Sequence, residues 1–219
     1  LSKTSTLKVK SVFSHLAASE DLEEKAFTLG QIDLYKSLST TFIEKLGYPV
    51  IRHLCNTSGV LNYPEAHFDM VRCGIGLYGY GNTDKEAQNF RPIATLKSII
   101  SQIHDVAKGK SVGYNRGFIS PEDSKIATIP IGHADGIGRH FGHGMGMVSI
   151  GKKKAAIVGN VCMDMIMVDV TDIECNEGDE VVLFGPEFSA ETSAAAANTI
   201  SYELITGISQ RVKREIVYK

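Results

Sequence analysis

The sequence has almost no excess charge of either sign. Lys and Arg number 23 against 25 Asp and Glu, a formal net charge of -2. That balance gives no electrostatic case for nucleic acid or for an anionic membrane surface as partner. Long hydrophobic runs are missing too: none approaches the ~20 apolar residues that a spanning helix needs. No segment has the make-up of a signal peptide. Cysteine is scarce, limited to Cys55, Cys73, Cys162 and Cys175. No CxxC pair occurs, and the spacings suit neither a zinc site nor a disulfide framework. The expectation is buried, reduced thiols in a cytoplasmic protein. The first residue is Leu1 rather than Met, so the chain reads as a piece of something longer.

What is present is ordinary globular material, 43% hydrophobic and 22% charged over 219 residues. That length suits one large domain or two modest ones. "TLKVKSVFSHLA" alternates and then turns apolar, so a strand is expected to end near His15. The next stretch has helical spacing at Leu22, Ala26, Leu29, Ile32, Leu38, Phe42 and Leu46. Ser19 is placed to cap that helix, acidic residues to fill its first turn, and Gly47 to stop it. "VIRHLCN" reads as a strand, Ser58 to Tyr63 as a small helix, and "FDMVRCGIGLYG" as another strand and turn. This is the β-α-β-α-β rhythm of parallel strands with crossover helices. "NTDKEAQNFRP" is polar and reads as a linker. Beyond it come short strands separated by glycine-bearing turns, the pattern of a β-barrel or sandwich. One late helical segment, "AETSAAAANTISYELITGIS", follows. The expected organisation is α/β in residues 1-90, then mainly β in 91-219. About three βα units are too few to close an eight-stranded barrel, so the first part reads as the end of one.

Several patterns are decoys. Gly74, Gly76 and Gly79 match G-x-G-x-x-G, yet no amphipathic helix follows and no acid ends a second strand in register. The dinucleotide reading fails on those grounds. A glycine-rich turn at the C-terminal end of a parallel strand can still offer N–H groups to a phosphate. "KGKS" lacks the spacing of a P-loop. His133, His140 and His143 fit no zinc pattern and read as solvated loop histidines, so no metal is expected. Asp169 and Asp172 read as strand and turn residues.

Eight segments carry a more specific signal: "FSHLAASED", "HLCNTSG", "FDMVRCGIGLYG", "VGYN", "IPIGHADGIGR", "VGNVCMDMIMVDV", "GDEVVLFG" and "ISYEL…RVKRE". Taken in order, from Phe13 to Glu215, they resemble alanine racemase, a fold-type III enzyme dependent on pyridoxal phosphate. The resemblance implies the C-terminal part of a (β/α)8 barrel followed by a C-terminal β domain. It implies cytoplasmic racemisation of L- and D-alanine for bacterial cell-wall synthesis. Removing an α-proton needs a cofactor that delocalises the resulting charge, and a base on each face of the α-carbon.

The resemblance also assigns residues. Arg72 would face the pyridine nitrogen of the cofactor. A guanidinium does not give up its proton near neutral pH, so the ring nitrogen would stay unprotonated. Gly74, Ile75, Thr57 and Tyr202 would hold the phosphate, with Thr57 standing where relatives have serine. Asn56 and His15 would line the cofactor side, His15 near the ring and beside Tyr114. Tyr114 would be one of the two bases. A free phenol ionises near ~10, so it needs tuning by a neighbour. Met163, through its backbone N–H, and Asp164 would address the substrate carboxylate. His133, in place of the usual tyrosine, and Arg139 would flank the substrate entrance. Tyr114 and the Met163–Asp164 loop would serve the partner subunit of a head-to-tail homodimer. The lysine that holds the cofactor as a Schiff base has no matching segment here, so the chain alone is expected to be inactive. Alternatives are a non-catalytic binding or regulatory module on the same scaffold, or a racemase of another small amino acid such as serine.

Overall fold

A computed structural model describes Thr4 and residues 6-218. The chain divides into two compact units, Leu1–Arg91 and Pro92–Lys219.

The first unit is α/β. Strands β1 (Ser11–Phe13) and β2 (Ile51–His53) lie parallel, Ser11 opposite Ile51 and Phe13 opposite His53. Helix α1 (Lys25–Leu46) crosses between them. Tyr35 of this helix ties both strands. Its hydroxyl donates to Val12 O (2.8 Å) and accepts from His53 N (3.0 Å). The helix ends at Gly47, whose φ of 77° is the left-handed conformation that glycine adopts without strain. Its start differs from expectation. The helix begins six residues after Ser19, with no side-chain cap and no acid in its first turn. Ser19 is instead fully buried, and its hydroxyl donates to Asn56 Oδ1 (2.8 Å). A tertiary partner has outcompeted the cap. The buried face of α1 runs through Thr28, Ile32, Tyr35, Ser39 and Leu46, while Leu38 of the expected stripe is exposed.

The expected third strand shrinks to a single parallel bridge between Met70 and His53. Glycines 74, 76 and 79 then let the chain coil into a 3-10 turn, Ile75–Tyr78, closed by Gly79 at φ 85°. The expected polar linker is folded as well. Helices α2 (Thr57–Asn62) and α3 (Asp84–Ala87) are joined through the buried carboxylate of Glu86. It accepts from Ser58 Oγ (2.9 Å), Asn62 Nδ2 (2.8 Å) and Asn82 N (2.9 Å). A buried carboxylate fully supplied with donors repays its desolvation, which explains why so polar a segment packs. The apolar core gathers Leu16, Ile32, Tyr35, Leu54, Cys55, Tyr63 and Ala66.

The second unit is mainly β. Its strands are β3 (Leu96–Ile99), β4 (Gln102–Val106), the two-residue β5 (Ser111–Val112) and β6 (Phe118–Ile119), β7 (Ser124–Ile129), β8 (Met147–Ile150), β9 (Lys153–Val158), β10 (Ile166–Asp169) and β11 (Glu180–Phe184). Seven of them form one antiparallel sheet in the order β3-β11-β8-β9-β10-β7-β4. Only Ile100 and Ser101 separate β3 from β4, yet these strands occupy opposite ends of that order. The sheet therefore curls back on itself, over Val148, Ile157, Ile166, Val168 and Val181. The late helical segment is two short helices, α4 (Ala190–Ala196) and α5 (Ser201–Gly207). Asn198, at φ 55°, breaks the helical path between them.

Candidate active site

In the first unit the candidate residues converge on the carboxyl ends of β1 and β2. Arg72 is the hub. Its Nη2 donates to Ser14 O (2.8 Å) and Leu54 O (3.2 Å), and its Nη1 to His53 O (3.3 Å). A planar guanidinium can span three strand-end carbonyls, which a single ammonium cannot. The same group contacts His53 Nδ1 (2.7 Å) and His15 Nδ1 (3.2 Å). Arginine only donates, so both imidazoles accept there and carry their proton on Nε2. Burial first, and the facing Arg72 charge second, hold the His53 pKa below its usual value. His53 also stacks on Phe13 at 5.3 Å, and Arg72 lies over the same Phe13 ring at 5.2 Å. Asp69, three residues before Arg72, pairs with Arg52 and accepts from its backbone N–H at 2.8 Å.

Beside Arg72 is a cradle of backbone donors. Gly74 N (3.0 Å) and Gly76 N (3.3 Å) both point at the Thr57 hydroxyl. Two N–H groups converging on one oxygen form a small anion-binding nest. The nest has little slack. A Cβ on Gly76 would lie 2.8 Å from the Thr57 methyl and 3.1 Å from Phe90. Ile75 is buried beneath the loop. The loop leads into a 3-10 turn and later a four-residue helix, not the long helix a dinucleotide fingerprint requires. Asn56 caps α2, its Oδ1 accepting from Gly59 N (2.8 Å) as well as from Ser19.

In the second unit, Tyr114 projects from the tip of the β5–β6 hairpin and is 74% exposed. Asn115, at φ 54°, takes the left-handed conformation that asparagine tolerates. Tyr114, Met163 and Asp164 line one cavity of about 420 Å³ together with Gly113, Cys162, Met165 and Met167. The loop after β9 is pinned from two sides. His133 N donates to Cys162 O (2.9 Å) and Ala134 N to Met163 O (3.0 Å). Arg211 then grips Asp164 Oδ1 (2.7 Å) and Asp135 Oδ1 (2.6 Å). Burial alone would raise the Asp135 carboxyl. Arg211 and the Gly132 N–H, which donates to it at 2.8 Å, together outweigh that and lower it. Arg139 reaches Asn160 Oδ1 (3.2 Å). Tyr202 lies on α5 of the second unit, and the Gly74 loop belongs to the first.

Three sequence expectations need correction or extension. Cys73 is exposed and Cys162 and Cys175 only half-buried, so Cys55 alone is a buried thiol, its pKa raised to about 11 by burial. His53, Asn160, Arg211 and Glu86 were missed. His53, Asn160 and Arg211 lie inside the quoted segments "HLCNTSG", "VGNVCMDMIMVDV" and "RVKRE" but were given no role, and Glu86 sits on α3 within the expected linker. His140 lies against the Phe141 ring at 4.7 Å. His143 contacts Asn160 Oδ1 (3.2 Å), and among the described residues no cluster of three or more His, Cys, Asp or Glu is placed to hold a metal ion.

Both halves of the chain match one enzyme class, the racemases of alanine. Residues 1-82 match the family described as alanine racemase, N-terminal domain, and residues 93-216 the alanine racemase C-terminal domain. The chain belongs to the alanine racemase family. An alanine racemase of Clostridium kluyveri is 37% identical over 222 residues, covering 98% of this chain and 56% of that protein. The solved alanine racemase of Clostridium difficile 630 in complex with cycloserine superposes with a TM-score of 0.84 at 34% identity, over 96% of this chain and 56% of that one. That of Bartonella henselae, with covalently bound pyridoxal phosphate, gives 0.81 at 30%, over 96% and 57%. The chain thus spans little more than half the length of these relatives.

Proposed function

We propose that the whole protein uses pyridoxal phosphate to interconvert L- and D-alanine in the cytoplasm, for bacterial cell-wall synthesis. On this reading residues 1-90 are the C-terminal portion of the cofactor-binding barrel and 91-219 the C-terminal β domain. The observation that carries it is the junction of Arg72 with the Gly74–Gly76 cradle. Arg72 is a permanent cation two residues before a pair of N–H groups that converge on one oxygen, Thr57 Oγ1 at 3.0 and 3.3 Å, and a ring nitrogen and a phosphate on one ligand call for that combination.

Pyridoxal phosphate, when bound, supplies an electron sink that makes the α-proton removable. The chain's own residues do the rest. Gly74, Ile75 and Thr57, with the Tyr202 phenol, hold the phosphate. Arg72 faces the ring nitrogen and, keeping its proton, gives none away. His53 and three strand-end carbonyls fix its plane. Asn56 and His15 line the ring side. The Tyr114 oxygen moves the α-proton on one face. The Met163 N–H and Asp164 orient the substrate carboxylate, and His133 and Arg139 flank the entrance. Tyr114 and the Met163–Asp164 loop act in the site of the partner subunit, which makes a head-to-tail homodimer the working form. The second base is a lysine outside these 219 residues, so this chain alone does not racemise.

The test uses the whole protein saturated with pyridoxal phosphate. A band near the visible edge, bleached by borohydride, is expected, together with racemisation of alanine faster than of serine. No such band would sink the reading. Racemisation by the purified 219-residue chain alone would overturn the assignment of the missing base.

A further inference from the structure

The geometry points to Asn160 as a positioning residue for Tyr114, one that also joins it to the entrance residue Arg139. The inference rests on the proton-carrying role proposed for Tyr114.

The turn that presents Tyr114 is backbone-strained. Gly113, Asn115 and Arg116 have φ of 75°, 54° and 52°. Asn115 and Arg116 are consecutive non-glycine residues at positive φ, a conformation that persists only where the surroundings hold it. The hairpin root is held by apolar packing, as Val112 and Phe118 lie against Ile126, Val158 and Met167. The tip has no such packing, since Tyr114 is 74% exposed. Its hold comes from Asn160, whose Nδ2 donates to Tyr114 O at 2.9 Å. That carbonyl also accepts from Gly117 N at 3.1 Å, which closes the turn.

The orientation of the Asn160 amide is forced by its neighbours. Nδ2 faces a carbonyl, which only accepts. Oδ1 faces Arg139 Nη2 (3.2 Å), which only donates. His143 Nε2, at 3.2 Å from the same Oδ1, is then a donor as well. Each end of one short side chain is therefore committed, the amide nitrogen to the Tyr114 turn and the oxygen to Arg139 and His143. The approach is close because residue 117 is glycine. A Cβ there would lie 2.7 Å from Asn160 Nδ2.

Asn160→Asp separates the two ends. It keeps acceptor oxygens for Arg139 and His143, removes the donor to Tyr114 O, and sets a carboxylate against that carbonyl. In the whole, cofactor-loaded protein, kcat is expected to fall about 10-fold, short of the ~10²-fold that an ångström of misplacement can cost. The cofactor absorbance and the melting temperature stay near those of the parent. The α-deuterium isotope effect is expected to rise with one enantiomer of alanine alone, the one whose α-proton Tyr114 takes. Gly117→Ala should act in the same direction by pushing Asn160 away. A second readout needs no turnover: the Gly117 amide should exchange with solvent about 10-fold faster in N160D. Unchanged exchange, unchanged isotope effects, or an equal rise with both enantiomers would overturn the proposal. Faster exchange in a protein whose parent shows no cofactor band would leave the clamp standing and refute the racemase reading.

Discussion

The candidate residues of the two units are held by opposite means. In the first unit the groups that would meet the cofactor are backbone N–H groups and one guanidinium, tied down by Ser14 O, His53 O and Leu54 O. In the second, the tyrosine that would move a proton stands on a hairpin tip, its ring 74% exposed. Holding a dianion and a ring needs many fixed dipoles and no motion. Moving a proton needs one group at one point, and an otherwise open surface through which substrate can pass. On that division, damage to the second unit should lower the rate and spare cofactor binding. Damage to the first should do the reverse.

The largest effect is expected from Tyr114→Phe. It removes one oxygen from an exposed ring and leaves the hairpin backbone untouched. Racemisation should fall by ~10³-fold or more, within the usual range for a lost acid–base group. The cofactor absorbance should not change. Loss of cofactor in this variant would break the division of labour. Arg72→Lys comes next and makes the opposite point. An ammonium keeps the charge but cannot reach three carbonyls and two imidazoles at once. Urea unfolding should show a loss of about 1.5–3 kcal/mol, the range for hydrogen bonds to a charged group. The absorbance band should shift as well, since Arg72 is placed to address the ring.

A finer cut tests the cradle itself. In Gly76→Ala the new Cβ falls 2.8 Å from the Thr57 methyl and 3.1 Å from Phe90, so the loop must shift off its nest. Affinity for pyridoxal phosphate should drop by about 10-fold, the factor that ~1.4 kcal/mol represents. Thr57→Ser removes the nearer obstacle and keeps the hydroxyl. Added to Gly76→Ala it should recover part of the loss, Phe90 accounting for the remainder. Strict additivity of the two variants would show that they do not share a contact.

The comparison also explains what could be read from the sequence. The rhythm of strand, long helix and strand was legible because α1 repeats its apolar positions over many turns, and Gly47 marks its end. The short strands of the second unit were legible from alternation between glycine turns. The site residues were legible only through family resemblance. Arg72 and Tyr114 are ordinary residue types at unremarkable spacing, and the partners that give them meaning are far off in sequence. Arg72 reaches Ser14 across 58 positions and Asn160 reaches Tyr114 across 46. The failures have the same origin. Ser19 has every local feature of a helix cap, but its hydroxyl is taken by Asn56, 37 residues away. "NTDKEAQNF" has the composition of a linker, yet one carboxylate, Glu86, finds three donors and is buried. Local rules describe local competition. A buried polar partner from elsewhere in the chain overrides them.

Acid should separate the two units, though by the smallest effect. His53 has a folded pKa below its unfolded value near 6.5, through burial and then the Arg72 charge. The unfolded chain therefore binds the proton first. This contribution to stability is complete above pH 6.5 and is lost as pH falls from there through the folded value. Asp135 is also depressed, from 3.8, but its window lies lower. Burial opposes the shift, and the bonds from Arg211 and Gly132 N outweigh it. Its contribution is complete above pH 3.8 and disappears as pH falls through the folded value. On acidification the first unit should begin to loosen while the clamp on the Met163–Asp164 loop still holds. Amide exchange followed between pH 7 and 3 checks this, with residues near β2 reporting on one unit and Cys162–Asp164 on the other. Arg211→Met should remove the lower transition and leave the upper one in place. Loss of protection in both units over one window would mean that neither group sets the acid response of its own unit.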